Sequence, residues 1–291
     1  MPNIFWMTEK KTLDEFVKSS REALQTLYPA KEAAALAGIV CTDILGVGRY
    51  DFLTDPSRIL DDTRAAEEAV KRLKNGEPIQ YILGKTDFCG REFRVTPSVL
   101  IPRPETELLC IGAERIASGK KNPGILDLCT GSGCIAWTLA AEIPLAKVTA
   151  VDISEDALEI ARSQKITIPN KPDFRKLDVL DAAAVETFLG AMPPFDIIVS
   201  NPPYIMECEK GNMRRNVLEH EPAIALFVPD DDPLKFYKAI SDICRKHLKG
   251  SFIVEINENL PQQTLGVFGC FKNLQVVDDL NCKPRFITGN V

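Results

Sequence analysis

The run Ser200-Asn201-Pro202-Pro203-Tyr204-Ile205 holds the side chains whose types and spacing are most suited to chemistry. Two consecutive prolines fix the chain and remove two N–H donors, so nearby carbonyls are left free as acceptors. Asn201 adds a side-chain oxygen acceptor and Tyr204 a flat aromatic face. Such a set can grip a planar NH2 group through both of its hydrogens. The competing reading is a rigid turn with a buried tyrosine.

A second cluster, Cys129-Thr130-Gly131-Ser132-Gly133, follows the apolar run Ile125-Leu126-Asp127-Leu128. Glycines here let backbone approach a ligand closely, and the helix that follows offers free N–H groups. Neither a full G-x-G-x-x-G nor a G-K-[ST] is present, which excludes a P-loop. Asp152 stands 19 residues beyond Gly133, at the end of the next apolar run. A carboxylate there can accept from both hydroxyls of a ribose, which points to a nucleoside-bearing cofactor. Its alternative role is to cap the next helix, a task open to Ser154 as well. A third acid, in Leu177-Asp178-Val179, can reach an adenine amino group or cap a helix.

These residues need a scaffold that brings strand ends together. From about residue 105 the chain alternates short apolar runs with helical periodicity. Strands are expected at 125–129, 147–151, 195–200 and 251–256, with helices at 135–142, 155–164 and 234–247. That alternation implies parallel strands with helical crossovers, a doubly wound α/β sheet. Leu274–Val277 and Arg285–Thr288 have little between them and are expected to form an antiparallel hairpin. Residues 1–84 read as a small helical domain, with Leu13, Phe16, Val17, Leu24 and Leu27 at helical spacing. Further helices are expected over 33–40 and 63–73, where Thr63 with Ala66 and Glu67 approximates a capping box. Residues 85–104 read as a β-hairpin linker, turning at Cys89-Gly90-Arg91-Glu92. The remainder, 105–291, forms the α/β domain.

Composition limits the partners. The chain has 291 residues, room for about two domains. It carries 35 basic and 41 acidic side chains, a net charge of -6. Residues 1–84 hold 11 basic and 13 acidic of these. Neither half has the excess of Lys and Arg that a general polyanion binder or an anionic membrane surface demands. The nine cysteines form no C-x-x-C pair and the two histidines lie far from any close cysteine pair, so no metal site is expected. The Met1–Trp6 segment lacks the basic and apolar regions of a secretory leader, and no apolar run is long enough to span a bilayer. The expectation is a cytoplasmic protein with reduced thiols acting as small core residues.

Asn201-Pro202-Pro203-Tyr204, with Asp127–Gly133 and Val151-Asp152, resembles the S-adenosylmethionine-dependent methyltransferases that act on planar amino or amide nitrogens. Pro78–Gly84, Val99–Glu107 and His220–Leu226 closely resemble the HemK/PrmC family. That resemblance implies a Rossmann-like methyltransferase sheet, a substrate-recognition role for the N-terminal helical domain, and S-adenosylmethionine as cofactor. It implies a class-one peptide chain release factor as substrate, methylated on the glutamine side-chain amide of its Gly-Gly-Gln motif. It places cofactor contacts at Cys129, Thr130, Gly131, Ser132, Gly133, Asp152, Asp178, Val179 and Asn201. The substrate amide falls to Asn201, Pro202, Pro203 and Tyr204, with catalysis resting on Asn201, Pro202 and Tyr204. Cys129 stands where the family usually has glycine, and Glu255-Ile256-Asn257 where it has Glu-Ile-Gly.

A DNA adenine or rRNA guanine methyltransferase presents an NH2 group to the same motif, but a flipped base demands a Lys/Arg channel that the acidic balance does not provide. A non-catalytic S-adenosylmethionine binder has no need of an amide-gripping motif. An NAD-dependent oxidoreductase is separated from these by nucleotide-binding measurements. Arg103, Glu105 and Glu107 read either as an interdomain ion-pair network or as part of the site. Glu221-Pro222 could close over the site from a long loop spanning 205–232.

Overall fold

The computed structural model describes residues 10–291, so Met1–Trp6 lies outside it. The chain divides into two units. The first comprises residues up to Gly84 together with Arg215–His220, and the second comprises Lys85–Arg214 and Glu221–Val291.

In the first unit, β1 (Lys11–Thr12) leads directly into α1 (Leu13–Leu24). Thr12 and Glu15 cap that helix reciprocally, each side chain taking the other's backbone N–H. There follow α2 (Ala30–Asp43), α3 (Asp51–Thr54), β2 (Ile59–Leu60), α4 (Arg64–Lys74) and α5 (Ile79–Leu83). β2 pairs antiparallel with β1. Thr63 does not cap α4; its hydroxyl donates instead to Glu67, so the capping box lies at Thr12. Leu13, Phe16, Leu24, Ala37, Val40 and Leu73 pack as one core, whereas Leu27 is exposed.

The second unit starts with a hairpin, β3 (Lys85–Phe88) and β4 (Arg91–Arg94). Its two-residue turn has positive φ at both Cys89 (48°) and Gly90 (70°), which matches the right-handed twist of the strands. Phe88 and Phe93 of this hairpin belong to the core of the second unit.

Next come α6 (Pro104–Ala117), β5 (Gly124–Leu128), α7 (Cys134–Glu142), β6 (Lys147–Asp152), α8 (Glu155–Arg162), β7 (Asp173–Lys176), α9 (Ala182–Leu189) and β8 (Phe195–Ser200). Beyond β8, residues 205–232 are not one loop. They hold β9 (Ile205–Met206), a 3-10 turn Glu207–Asn212, α10 (Arg215–His220), a second 3-10 turn Ala223–Ala225 and β10 (Phe227–Val228). β9 and β10 pair in parallel. The chain closes with α11 (Lys235–His247), β11 (Leu248–Glu255), α12 (Pro261–Val267), β12 (Lys272–Asp278) and β13 (Pro284–Asn290).

Seven strands form the central sheet, in the order β12-β13-β11-β8-β5-β6-β7. β11, β8, β5, β6 and β7 are parallel, and β13 runs antiparallel to both β11 and β12. Period-two alternation divides the buried residues between two faces. Ile125, Ile197, Val199 and Ile253 meet α6, α7 and α8 on one side. Leu126, Ile198, Phe252 and Val254 meet α9, α11 and α12 on the other. The result is a doubly wound Rossmann-like α/β fold with an antiparallel edge. The chain leaves β5 toward β6 on one side and returns to place β8 on the other, so the crevice where such sheets hold ligands opens at the carboxyl ends of β5 and β8.

Among the described residues no helix is long and apolar enough to cross a membrane. Cys41, Cys110, Cys134 and Cys244 are small core residues as expected, but Cys208, Cys270 and Cys282 are exposed. A purely structural reading of all nine thiols therefore fails at these three.

Candidate active site

β5 ends at Leu128 and the chain turns at once through left-handed backbone at Cys129 (φ 61°), Gly131 (55°) and Gly133 (78°). The two glycines serve different ends. A Cβ on Gly131 would meet nothing within 4 Å, so this backbone faces open space. A Cβ on Gly133 would lie 3.0 Å from Ala161 Cβ and 3.1 Å from the Phe174 ring, so here the missing side chain permits close packing. Cys129 adopts a conformation that costs an L-residue about 1–2 kcal/mol. The loop is pinned from below. The Thr130 N–H donates to the Val151 carbonyl at 3.0 Å, and the Thr130 hydroxyl donates to Asp127 at 2.6 Å. Asp127 is fully buried beneath the loop with Oδ1 unpartnered, and burial pushes its carboxyl up to about 7.

Asp152, at the end of β6, accepts the Gly131 N–H on Oδ2 (2.8 Å) and the Ser154 N–H on Oδ1 (3.0 Å). Burial raises its pKa, opposed by these bonds. The helix cap belongs to Ser154, whose hydroxyl oxygen accepts from the Ala157 N–H at 3.2 Å. Asp178 lies two residues past β7 and accepts the Leu180 N–H at 2.9 Å.

At the end of β8, the Ser200 hydroxyl donates to the Leu128 carbonyl (2.8 Å), tying this corner to β5. Asn201 donates from Nδ2 to Thr106 Oγ1 (3.1 Å), and the Thr106 hydroxyl donates to Glu255 Oε2 (2.8 Å). Tyr204 donates its hydroxyl to Glu255 Oε1 (3.0 Å), and its carbonyl accepts from Asn257 Nδ2 (3.0 Å). Burial, joined by the Glu255 charge, pushes the Tyr204 phenol well above its ordinary value.

These strand ends enclose a cavity of about 260 Å³. Of the residues expected to form the site, Cys129, Thr130, Gly131, Ser132, Asp152, Asp178, Val179, Asn201 and Pro203 line it. Gly133, Pro202 and Tyr204 are not lining residues; the first packs on α8, and Tyr204 turns its hydroxyl to Glu255.

A family model described as PrmC N-terminal domain matches residues 17–84, and one described as Methyltransferase small domain matches residues 111–222. The release factor glutamine methyltransferase of Bacteroides thetaiotaomicron is 43% identical over 279 residues, covering 93% of this chain and 97% of that one. The chain belongs to the release factor glutamine methyltransferase family. Members from Koribacter versatilis and Bacillus subtilis are each 38% identical, over 97% and 95% of this chain and 98% and 97% of their own. The solved protein-(glutamine-N5) methyltransferase (release factor-specific) of Alicyclobacillus acidocaldarius is 25% identical, with a TM-score of 0.44 over 68% of this chain and 98% of that one.

Against this family background, several cavity residues were not singled out from the sequence. Ser98–Leu100, Thr106, Ile224, Ala225, Lys235 and Phe236 all line the space. Val99, Leu100, Thr106, Ile224 and Ala225 stand in the stretches that resemble the HemK/PrmC family but were given no site role there, and nothing local marks Ser98, Lys235 or Phe236. Glu255 carried a detectable signal, since it ends a parallel strand just as Asp152 does. Arg103, Glu105 and Glu107 do not form one network. Arg103 lines the cavity and its guanidinium pairs with Glu221 at 2.6 Å, while Glu107 accepts the Cys89 N–H at 2.8 Å. Glu221, its side chain only 1% exposed, also accepts the Ile101 N–H at 3.1 Å. It thus braces the cavity wall. Among the described residues no group of three or more His, Cys, Asp or Glu side chains is placed to hold a metal.

Proposed function

We infer that this protein transfers a methyl group from S-adenosylmethionine to the glutamine side-chain amide in the Gly-Gly-Gln motif of class-one peptide chain release factors. The observation that carries the reading is the orientation of Asn201. Its NH2 is held by Thr106, which leaves Oδ1 as its free acceptor, and Asn201 lines the cavity beside the glycine loop.

The residues around the cavity suit an adenosine-bearing cofactor. Gly131 leaves space that a Cβ would fill, and α7 begins at the same place with its free N–H groups. Asp152 and Asp178 are the acids that would receive ribose hydroxyls and the adenine amino group, with Val179 against the base. When bound, S-adenosylmethionine supplies an electrophilic methyl on a sulfonium.

The chain's own task is to orient a poor nucleophile, because an amide nitrogen's lone pair is delocalised. Asn201 Oδ1 accepts one N–H hydrogen of the glutamine amide, and the Pro202 carbonyl, which stands outside the cavity lining, accepts the other. They aim its nitrogen and stabilise the positive charge that grows there. Tyr204 and Pro203 hold this stretch rigid. Positioning of this kind is worth about 7–11 kcal/mol in well-oriented reactions. The proton released from nitrogen passes to water. In this reading residues 1–84 engage the release factor, and the protein works in the cytoplasm, where thiols stay reduced. The net charge of -6 supports a protein substrate over a nucleic acid.

Incubation with S-adenosylmethionine and purified release factor, followed by mass spectrometry of the Gly-Gly-Gln peptide, should find one added methyl on glutamine. Asn201→Ala should abolish that turnover while calorimetry shows cofactor affinity mostly intact. Near-normal single-turnover methylation by this variant refutes the assignment. Equal methylation of naked nucleic acid by the wild type would instead favour a base-directed enzyme.

A further inference from the structure

The Asn-Pro-Pro-Tyr run is anchored at both ends on one carboxylate that lies outside it. Tyr204 reaches Glu255 Oε1 directly, and Asn201 reaches Oε2 through the Thr106 hydroxyl. The direction of this chain of hydrogen bonds follows from proton counting. An ionised carboxylate only accepts. The single Thr106 proton is therefore committed to Glu255, and toward Asn201 the hydroxyl offers only a lone pair. Asn201 can satisfy it with NH2 alone, which turns Oδ1 toward the cavity.

We propose that Glu255, acting through Thr106, is a positioning residue that fixes which end of the Asn201 amide faces the cavity, making the site an acceptor of an NH2 group. The two ends of an amide are nearly equal in shape, so packing alone selects poorly between them. If the partner of Thr106 could donate, the hydroxyl would turn its proton to Asn201 Oδ1. The amide would then rotate by half a turn and meet the substrate NH2 donor against donor. The inference rests on the reading of Asn201 as the group that grips the substrate amide.

The surroundings of Glu255 fit this role. Its residue is 1% exposed, and burial raises its pKa to about 6. Thr106 of α6, Tyr204 and Arg285 of β13 favour its charged form, whereas Glu105 opposes it. Tyr237 of α11 donates to the Glu255 backbone carbonyl at 3.3 Å, which leaves both carboxylate oxygens for Thr106 and Tyr204. Ionisation is thus retained near neutral pH and lost under mild acid, where the direction of the relay is no longer fixed.

The test uses the full chain with release factor and S-adenosylmethionine, comparing Glu255→Gln, Thr106→Val and Thr106→Ser. Wild-type turnover is established first; its absence overturns the functional reading itself, before any variant is compared. With that turnover in hand, Glu255→Gln and Thr106→Val are expected to lower kcat about 10-fold to 100-fold, the worth of one hydrogen bond to a charged group. Cofactor Kd should not change, and Thr106→Ser, which keeps the hydroxyl, should restore wild-type kcat. Wild-type kcat should also fall as pH drops through about 6, a limb that Glu255→Gln should lack. Wild-type kcat in Glu255→Gln, equal losses in Thr106→Ser and Thr106→Val, or an unchanged acid limb in Glu255→Gln each overturns the proposal. Should Thr106→Val fail to bind cofactor, the near-isosteric Glu255→Gln and its pH profile decide alone.

Discussion

Glu221→Ala removes a carboxylate that holds two parts of the cavity wall. The Ile101 N–H, on a residue only 4% exposed, loses its sole acceptor among the described residues. Leaving such a donor buried and unpaired costs about 1–3 kcal/mol. Arg103 loses a charged hydrogen bond, but its side chain is 33% exposed, so water takes over much of the interaction and the added cost is about 1 kcal/mol. The expected destabilisation of the second unit is therefore about 2–4 kcal/mol. Glu221→Gln keeps an oxygen for Ile101 and should cost only about 1 kcal/mol. Urea unfolding followed by fluorescence measures both. Trp137 is buried in this unit with its indole N–H on the Ala161 carbonyl at 2.8 Å, and a Trp6→Phe background isolates its signal. Because Arg103 and Ser98–Leu100 line the cavity, Glu221→Ala should weaken cofactor binding as well. A loss of stability below about 0.5 kcal/mol, or equal losses for Ala and Gln, refutes this account of the wall.

Gly133→Ala should destabilise by about 2–4 kcal/mol, combining left-handed strain with a Cβ pressed on Ala161 and Phe174. Gly131→Ala, strained but unobstructed, should cost only about 1–2 kcal/mol in the same unfolding assay. Asp152→Ala should weaken S-adenosylmethionine binding at least about 10-fold by calorimetry, since it removes the proposed ribose acceptor and also releases the Gly131 N–H. Asp127 is raised to about 7 in the folded chain, above its unfolded value near 3.9. The native state thus binds this proton more tightly, and its contribution to stability falls as pH rises from about 4 to 7, by roughly 4 kcal/mol at most. Asp127→Asn should remove that slope from the difference between the two proteins' pH–stability curves.

Much of the fold was legible because local signals agreed with the global one. Phe195–Ser200 is both β-branched and bounded by a turn, and β8 has those same limits. Gly90 marked the hairpin because glycine adopts positive φ freely, but the turn expected over Cys89–Glu92 closes within Cys89-Gly90, and Arg91 and Glu92 already pair in β4. The sheet order was beyond reach, since each strand's neighbours depend on crossovers hundreds of atoms long. The 205–232 segment, lacking periodicity, read as a loop. Its short elements are held by distant partners such as Asn257, whose Nδ2 reaches both Tyr204 and Glu209. The glycine loop and Asp152 were visible as a Gly pair with a strand-end acid. The support beneath them was not, because Thr106 with Glu255 and Ile101 with Glu221 lie 149 and 120 residues apart. At Cys129 the sequence showed only a departure from glycine; the backbone shows that this side chain sits in a conformation glycine would adopt freely.

The return of Arg215–His220 to the first unit has a consequence for biosynthesis. Domains ordinarily fold as they leave the ribosome, the N-terminal one first. Here the first unit receives its last helix only after residue 220 of 291 has been added. A nascent chain stopped at Gly84 therefore carries an incomplete unit, and a fragment cut there for separate study lacks α10. Synthesis must pass through four strands of the seven-stranded sheet before the first unit can be finished.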